Sequence, residues 1–196
     1  MKVAIAIIVV FVIALAWFVA KRRVQTSDSK SVTKEHQPPK DIYLGLRSQM
    51  LQGSRAKFGL APTAKPYDAW GVLMDWGITN GTATAVAMSD GSASVYLSSG
   101  GGYLGGIVQE PIRKAAQHAV DAAREFQSKM SPAASYPLPD KRHVTFYVLT
   151  DSGVVTASTT QQMLSTHQDP LSKLGESMQN VITQYRLWSE RQSQSK

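Results

Sequence analysis

The sequence predicts an α+β domain carried behind a single N-terminal transmembrane helix. Three observations predict it. The chain opens on an unbroken apolar run; its middle alternates apolar and polar residues between Asn-Gly and Asp-Gly pairs; and long segments with helical apolar spacing follow. Together these give the order α-βββ-α-ββ-α after the span, an antiparallel sheet of about five strands with helices packed on at least one face.

The apolar run "VAIAIIVVFVIALAWFVA", residues 3 to 20, is eighteen residues long. As a helix at ~1.5 Å per residue it spans roughly 27 Å, close to the hydrocarbon core of a bilayer. A cleaved signal peptide is the competing reading, with Lys2 as its charged start and Ala14 and Ala16 at a small-x-small site. The run continues past that site through Trp17 and Phe18, however, and stops at Lys21, Arg22 and Arg23, which favours a retained anchor. Trp17 is expected at the membrane interface, with the basic cuff reaching lipid phosphates. The excess of Lys and Arg after the span places the following domain in the cytoplasm; a periplasmic or secreted domain is the alternative.

The net charge of +7 is unevenly spread. Residues 1 to 40 hold seven Lys/Arg against two Asp/Glu, and residues 41 to 196 hold fourteen against twelve, so +5 precedes the domain and only +2 belongs to it. A nucleic-acid footprint needs basic residues clustered on the folded part, so no nucleic-acid partner is expected. The chain has no cysteine, which removes disulfides, thiolate metal sites and cysteine nucleophiles.

Residues 1–23 are therefore read as the anchor, 24–40 as a flexible polar tether ending near Pro38-Pro39, and 41–196 as the soluble domain. Asp41 is placed to cap a helix over "DIYLGLRSQML", with Ile42, Leu46 and Met50 on its inner face and Gly53 as its stop. "AWGVLMDWGI" puts Trp70, Val72, Met74 and Trp76 on one face of a strand. "TATAVAMS" and "ASVYLSS" follow, joined at Asn80-Gly81 and Asp90-Gly91, the residues that type I′ hairpins favour. Pro111 opens a helix whose stripe is Ile112, Ala115, Ala116, Ala119, Ala123 and Phe126. "HVTFYVLT" and "GVVTAST" form a second hairpin around Asp151-Ser152. Asp169-Pro170 then caps a last helix bearing Leu171, Leu174, Met178, Val181, Ile182 and Tyr185, a stripe that Trp188 continues.

The most site-like stretch is "SSGGGYLGG", in which Gly100, Gly102 and Gly105 have the G-x-G-x-x-G spacing. A dinucleotide site needs that turn inside a parallel βαβ unit, with the helix starting in the turn and an acidic residue closing a second strand. Here the preceding strand belongs to an antiparallel meander, the helix starts near Pro111, and Asp121 and Glu125 fall inside that helix. A softer expectation is a small-ligand or anion site, binding or enzymatic, using the free amides of Gly100, Gly101, Gly102 and Gly105. Glu110 at the following helix start opposes an anion there. A loop that meets a partner protein through Tyr103 and Leu104 is the third option.

His36, His118, His143 and His167 are too far apart in sequence for a short metal-ligand motif, so no metal is expected. The S-x-x-K matches at Ser27, Ser31 and Ser54 lie in tether or loop, and Asp75, Asp90 and Asp151 read as turn aspartates. No catalytic group and no cofactor are assigned. Trp70, Trp76 and Trp188 read as core packing or, where exposed, as partner contacts. The sequence thus points to a non-catalytic interaction module, an accessory or assembly subunit of a larger membrane complex, with the bilayer and other subunits as its partners.

Overall fold

The computed structural model describes residues 38–194. The predicted span, the basic cuff at Lys21, Arg22 and Arg23, Trp17 and nearly all of the tether lie outside these residues. Among the described residues no helix is long and apolar enough to cross a membrane.

Helix α1 (Pro39–Leu51) comes first, followed by a short 3₁₀ turn at Ala56–Phe58. The strands are β1 (Gly71–Ile78), β2 (Gly81–Met88), β3 (Ala93–Leu97), β4 (Gly102–Leu104), β5 (Ser131–Pro132), β6 (His143–Thr150) and β7 (Gly153–Thr160). Helix α2 (Glu110–Phe126) lies between β4 and β5; helices α3 (Gln161–Ser165) and α4 (Ser172–Gln194) close the chain. All seven strands pair antiparallel in one sheet, in the order β4-β3-β2-β1-β6-β7-β5. The α+β class and the antiparallel sheet are as the sequence predicts. The two extra strands are three and two residues long, too short for alternation to register.

Both faces of the sheet are covered. Val72 and Met74 of β1, Ala85 and Ala87 of β2 and Phe146 of β6 pack under α2 and α4. Ala116, Ala119 and Ala123 are fully enclosed, so the alanine stripe lets α2 lie close to the strands. On the other face Leu73, Val86, Tyr147 and Leu149 pack against Tyr43, Met50 and Leu51 of α1. Burying a large apolar side chain contributes roughly 1.5–3 kcal/mol, so two separate cores hold the sheet.

The central strand β1 is therefore buried on both sides, and this changes three readings. Asp75 is not in a turn: it sits mid-strand, pairs in register with Thr84 and Thr145, and is fully buried on the α1 face. Helix α1 turns Tyr43, Arg47, Met50 and Leu51 inward while Ile42 is exposed, a rotation that brings Arg47 to Asp75. Trp70 precedes β1 and joins the α1-side core, away from Val72 and Met74.

The hairpins stand where Asn-Gly, Asp-Gly and Asp-Ser occur, but with other turn geometry. Asn80 and Asp90 keep negative φ, and the positive φ falls on Gly81 (133°) and Gly91 (89°). In the second hairpin the Gly91 N–H donates to Met88 and Met88 to Ser92, the pattern of a type I turn closed by a glycine bulge. Helix α1 begins at Pro39 with Pro38 as its cap, so Asp41 lies in the first turn and does not cap. Gln52 ends it, with Gly53 one residue beyond. Helix α4 begins at Ser172, three residues beyond Asp169, so Asp169 and Pro170 stand in the turn before it, where the Asp169 carboxylate accepts the Leu171 N–H at 2.7 Å.

Candidate functional site: an open apolar edge of the sheet

The glycine-rich run folds back on β3 as a hairpin. Gly100 N–H donates to the Leu97 carbonyl at 2.9 Å, and Leu97 N–H donates to the Gly101 carbonyl at 3.1 Å. Gly100, Gly101 and Gly102 have φ of 101°, 83° and 146°, conformations an L side chain rarely adopts. A Cβ on Gly102 would also lie 2.1 Å from the Val95 carbonyl, so only glycine lets β4 approach β3 this closely. The hairpin itself thus accounts for Gly100 and Gly102, and Gly105 (φ 76°) turns the chain out of β4.

Helix α4 fastens this hairpin from below. The Tyr185 hydroxyl donates to the Ala93 carbonyl at 2.6 Å, at the start of β3, and is hydrogen-bonded to the Gly106 backbone beyond β4. Burial pushes the Tyr185 phenol up to about 12, against the Gly106 hydrogen bond. Tyr103 stacks on the Tyr185 ring at 5.3 Å, and Trp188 meets Tyr103 edge-on at 6.3 Å. Tyr103 and Trp188 are half-buried in this aromatic stack, which fixes β4 in place.

What the stack leaves outside is apolar. Leu104 is 65% exposed, Val108 79% and Ile107 38%, all in the short stretch that follows Tyr103. In an antiparallel ladder hydrogen-bonded and non-bonded pairs alternate. Because Leu97 opposite Gly101 is bonded, Tyr103 turns its backbone toward β3, and Gly102 and Leu104 turn theirs outward. Strand β4 is the end of the sheet, and among the described residues no strand pairs with its outer side. Unpaired edge N–H and C=O groups beside exposed apolar side chains form a template for an added strand.

Of the tryptophans singled out in the sequence, Trp188 belongs to this edge. Trp70 is 2% exposed and packs against Phe58 in the core, so it presents no surface. Trp76 is half-buried on the far side of β1, its indole N–H donating to Gln161 at 3.3 Å. Ile107 and Val108 escaped the sequence reading. Their signal was an apolar pair between glycine and Gln109 that fits neither helical nor strand period.

Groups able to do acid–base chemistry are gathered elsewhere and sealed. Arg47 Nε donates to Asp75 Oδ2 at 2.7 Å, and its other nitrogens reach the carbonyls of Tyr136 and Pro137. Thr84 donates to Asp75 Oδ1 at 2.5 Å, and the Tyr43 hydroxyl bonds Thr84 at 2.8 Å. Burial pushes the Asp75 carboxyl above its ordinary range, against Arg47 and Thr84, which pull it down. For Arg47 burial opposes the charge, yet the Asp75 partnership holds it above its ordinary value. Asp75 is 0% and Arg47 5% exposed, so no substrate reaches the pair; it joins α1 to the sheet. His118, His143 and His167 are all exposed, and His167 pairs with Glu176 at 3.0 Å. Ser54 is exposed and accepts the Lys57 N–H in a local turn. Among the described residues no group of three His, Asp or Glu side chains is placed to hold a metal ion.

Compared with protein-family models, curated proteins and solved structures, the chain matches none.

Proposed function

We propose that the chain is a membrane-anchored, non-catalytic interaction module, an accessory or assembly subunit of a larger membrane protein complex. Its β4 edge is the docking surface. The observation that carries this reading is the exposure of Leu104, Ile107 and Val108 beside the outward backbone of Gly102 and Leu104. The apolar run at residues 3–20 and the basic cuff after it support the anchor and a cytoplasmic domain. The occupant of the edge is an extended, apolar-flanked segment of a neighbouring subunit: backbone bonds supply part of the affinity, and the three side chains specify register.

Burying one such apolar side chain contributes roughly 1.5–3 kcal/mol, so placing Asp at both 104 and 108 should weaken the contact by two orders of magnitude or more. The test is a photoreactive amino acid placed singly at 104, 108, 57 and 129 of the full chain in its native membranes. Cross-links to another polypeptide from 104 and 108, and not from the distant lysine positions, support the proposal. Equal yields at all four positions, or none, overturn it.

A further inference from the structure

Two non-glycine residues among those described have positive φ, His167 (54°) and Arg142 (65°). His167 has a local reason. It follows α3, its N–H donates to Leu164 and that of Gln168 to Met163, the double bond that closes a helix in the left-handed conformation. Arg142 ends no helix. It occupies the third position of a turn in which His143 N–H donates to the Asp140 carbonyl at 2.9 Å, a position where positive φ calls for glycine or asparagine.

The turn is held rigidly. Arg142 N–H donates to the Gly77 carbonyl at 2.7 Å, and its own carbonyl accepts the Gln161 N–H at 2.8 Å. Gly77 makes this possible, since a Cβ there would lie 1.9 Å from the Asp140 carbonyl oxygen. The end of β1, the start of β6 and the start of α3 thus converge on one strained arginine. Strain that the surroundings enforce is a mark of a functional position.

The side chains displayed there line a cleft of about 530 Å³, in which Lys141, Arg142 and His143 are joined by Thr160, Gln161, Gln162 and Ser165. No carboxylate lines it. Neither Lys141 nor Arg142 has an acidic partner within ion-pair distance among the described residues, a condition they share with Lys57, Lys65 and Lys129, but only these two are adjacent and line one cleft. The two adjacent cations Lys141 and Arg142, with the His143 ring, the Thr160 hydroxyl and the Gln162 amide beside them, offer charge-assisted donors in a domain that is otherwise near neutral.

We infer that this cleft binds a phosphate-type anion, with Arg142 as the fork that engages it and Lys141 and His143 beside it. The site lies where the end of β1, the start of β6 and the end of β7 meet, with β2 and β3 between β1 and β4, and it does not depend on the docking reading. The same chemistry is offered by a free phosphate compound and by an anionic lipid headgroup, and two arms separate them.

In the first, the full chain, ¹⁵N-labelled in discs of neutral phosphatidylcholine, is titrated with pyrophosphate. In the second it is moved to discs containing phosphatidylserine without added phosphate. Saturable amide shifts confined to residues 141–143 and 160–165 are expected in one arm or both, the responding arm identifying the source. The Arg142→Gly variant should lose at least tenfold in affinity while its thermal midpoint stays or rises, because glycine adopts this φ freely. Lys141→Ala, which leaves the strained position intact, should also weaken binding. Shifts in neither arm, shifts spread over Lys57, Lys65 and Lys129, or an Arg142→Gly variant that binds as well as the parent overturn the inference.

Discussion

Replacing Arg47 with methionine removes the cation of the buried pair and leaves Asp75 enclosed with Thr84 as its donor. Breaking a buried ion pair by deleting one partner costs about 3–5 kcal/mol, since the remaining charge has lost its compensation. In a domain of this length each kcal/mol moves the unfolding midpoint by about 2–4 °C, so the variant should melt roughly 10 °C lower. Asp75→Leu strands Arg47 in the same way. The double variant Arg47→Met/Asp75→Leu removes both charges; Tyr43 and Thr84 keep each other but one of their two hydroxyl protons loses its acceptor, and the Tyr136 and Pro137 carbonyls lose a donor, Pro137 retaining Tyr147. It should lie within about 2 kcal/mol of the parent. The pH dependence has a definite sign. Asp75 already sits above its ordinary range because it is buried, and losing Arg47 raises it further. A raised folded value gives stability that is present below the unfolded value and is lost as pH rises through the folded one. The Arg47→Met deficit should therefore be smaller near pH 5 than near pH 8. Thermal and urea unfolding of the full chain in mild detergent at both pH values measures all of this. Single variants that each cost under about 1 kcal/mol and add in the double variant would refute the reasoning.

Two further outcomes follow from the tyrosines. Tyr185→Phe removes the hydroxyl that ties α4 to Ala93 and Gly106; it should cost about 1–2 kcal/mol and speed amide exchange in residues 100–106, read by mass spectrometry. Tyr43 and Tyr185 are each held up to about 12 by burial, and burial raises Tyr96 and Tyr147 as well, so an ultraviolet titration should show phenols ionising above the ordinary tyrosine value. Because the folded values are raised, the stability they confer is present below pH ~10 and disappears as pH climbs toward ~12.

Much of the fold is written in local chemistry. Glycine after Asn80 and Asp90 placed the first two hairpins, and the alanine spacing from Ala115 to Ala123 marked the helix that lies close on the sheet. Turn type was not legible, because Gly81 and Gly91 themselves take the positive φ and leave Asn80 and Asp90 ordinary. The orientation of α1 was not legible either. Arg47 looks like a surface residue until Asp75, twenty-eight positions away, supplies a buried counter-charge. A single strand buried on both faces hides such a residue, since alternation then no longer separates inside from outside. At the edge, Leu104 was visible between glycines, while the pairing of β4 with β3 depends on Gly102 lying against Val95, a contact across the sheet. The cleft at Arg142 has no sequence motif, for its signal is a backbone angle.

On the proposed function β4 receives a strand from a neighbouring subunit, and hydrogen exchange at its outward amides reads that contact. The full chain is isolated gently from its native cells, and deuterium uptake in residues 98–108 is compared with that of the same chain stripped to a monomer. Slow exchange at Gly102 and Leu104 in the native state, becoming fast on stripping, is the predicted result. Fast exchange in both states, or a chain recovered only as a monomer, would contradict it.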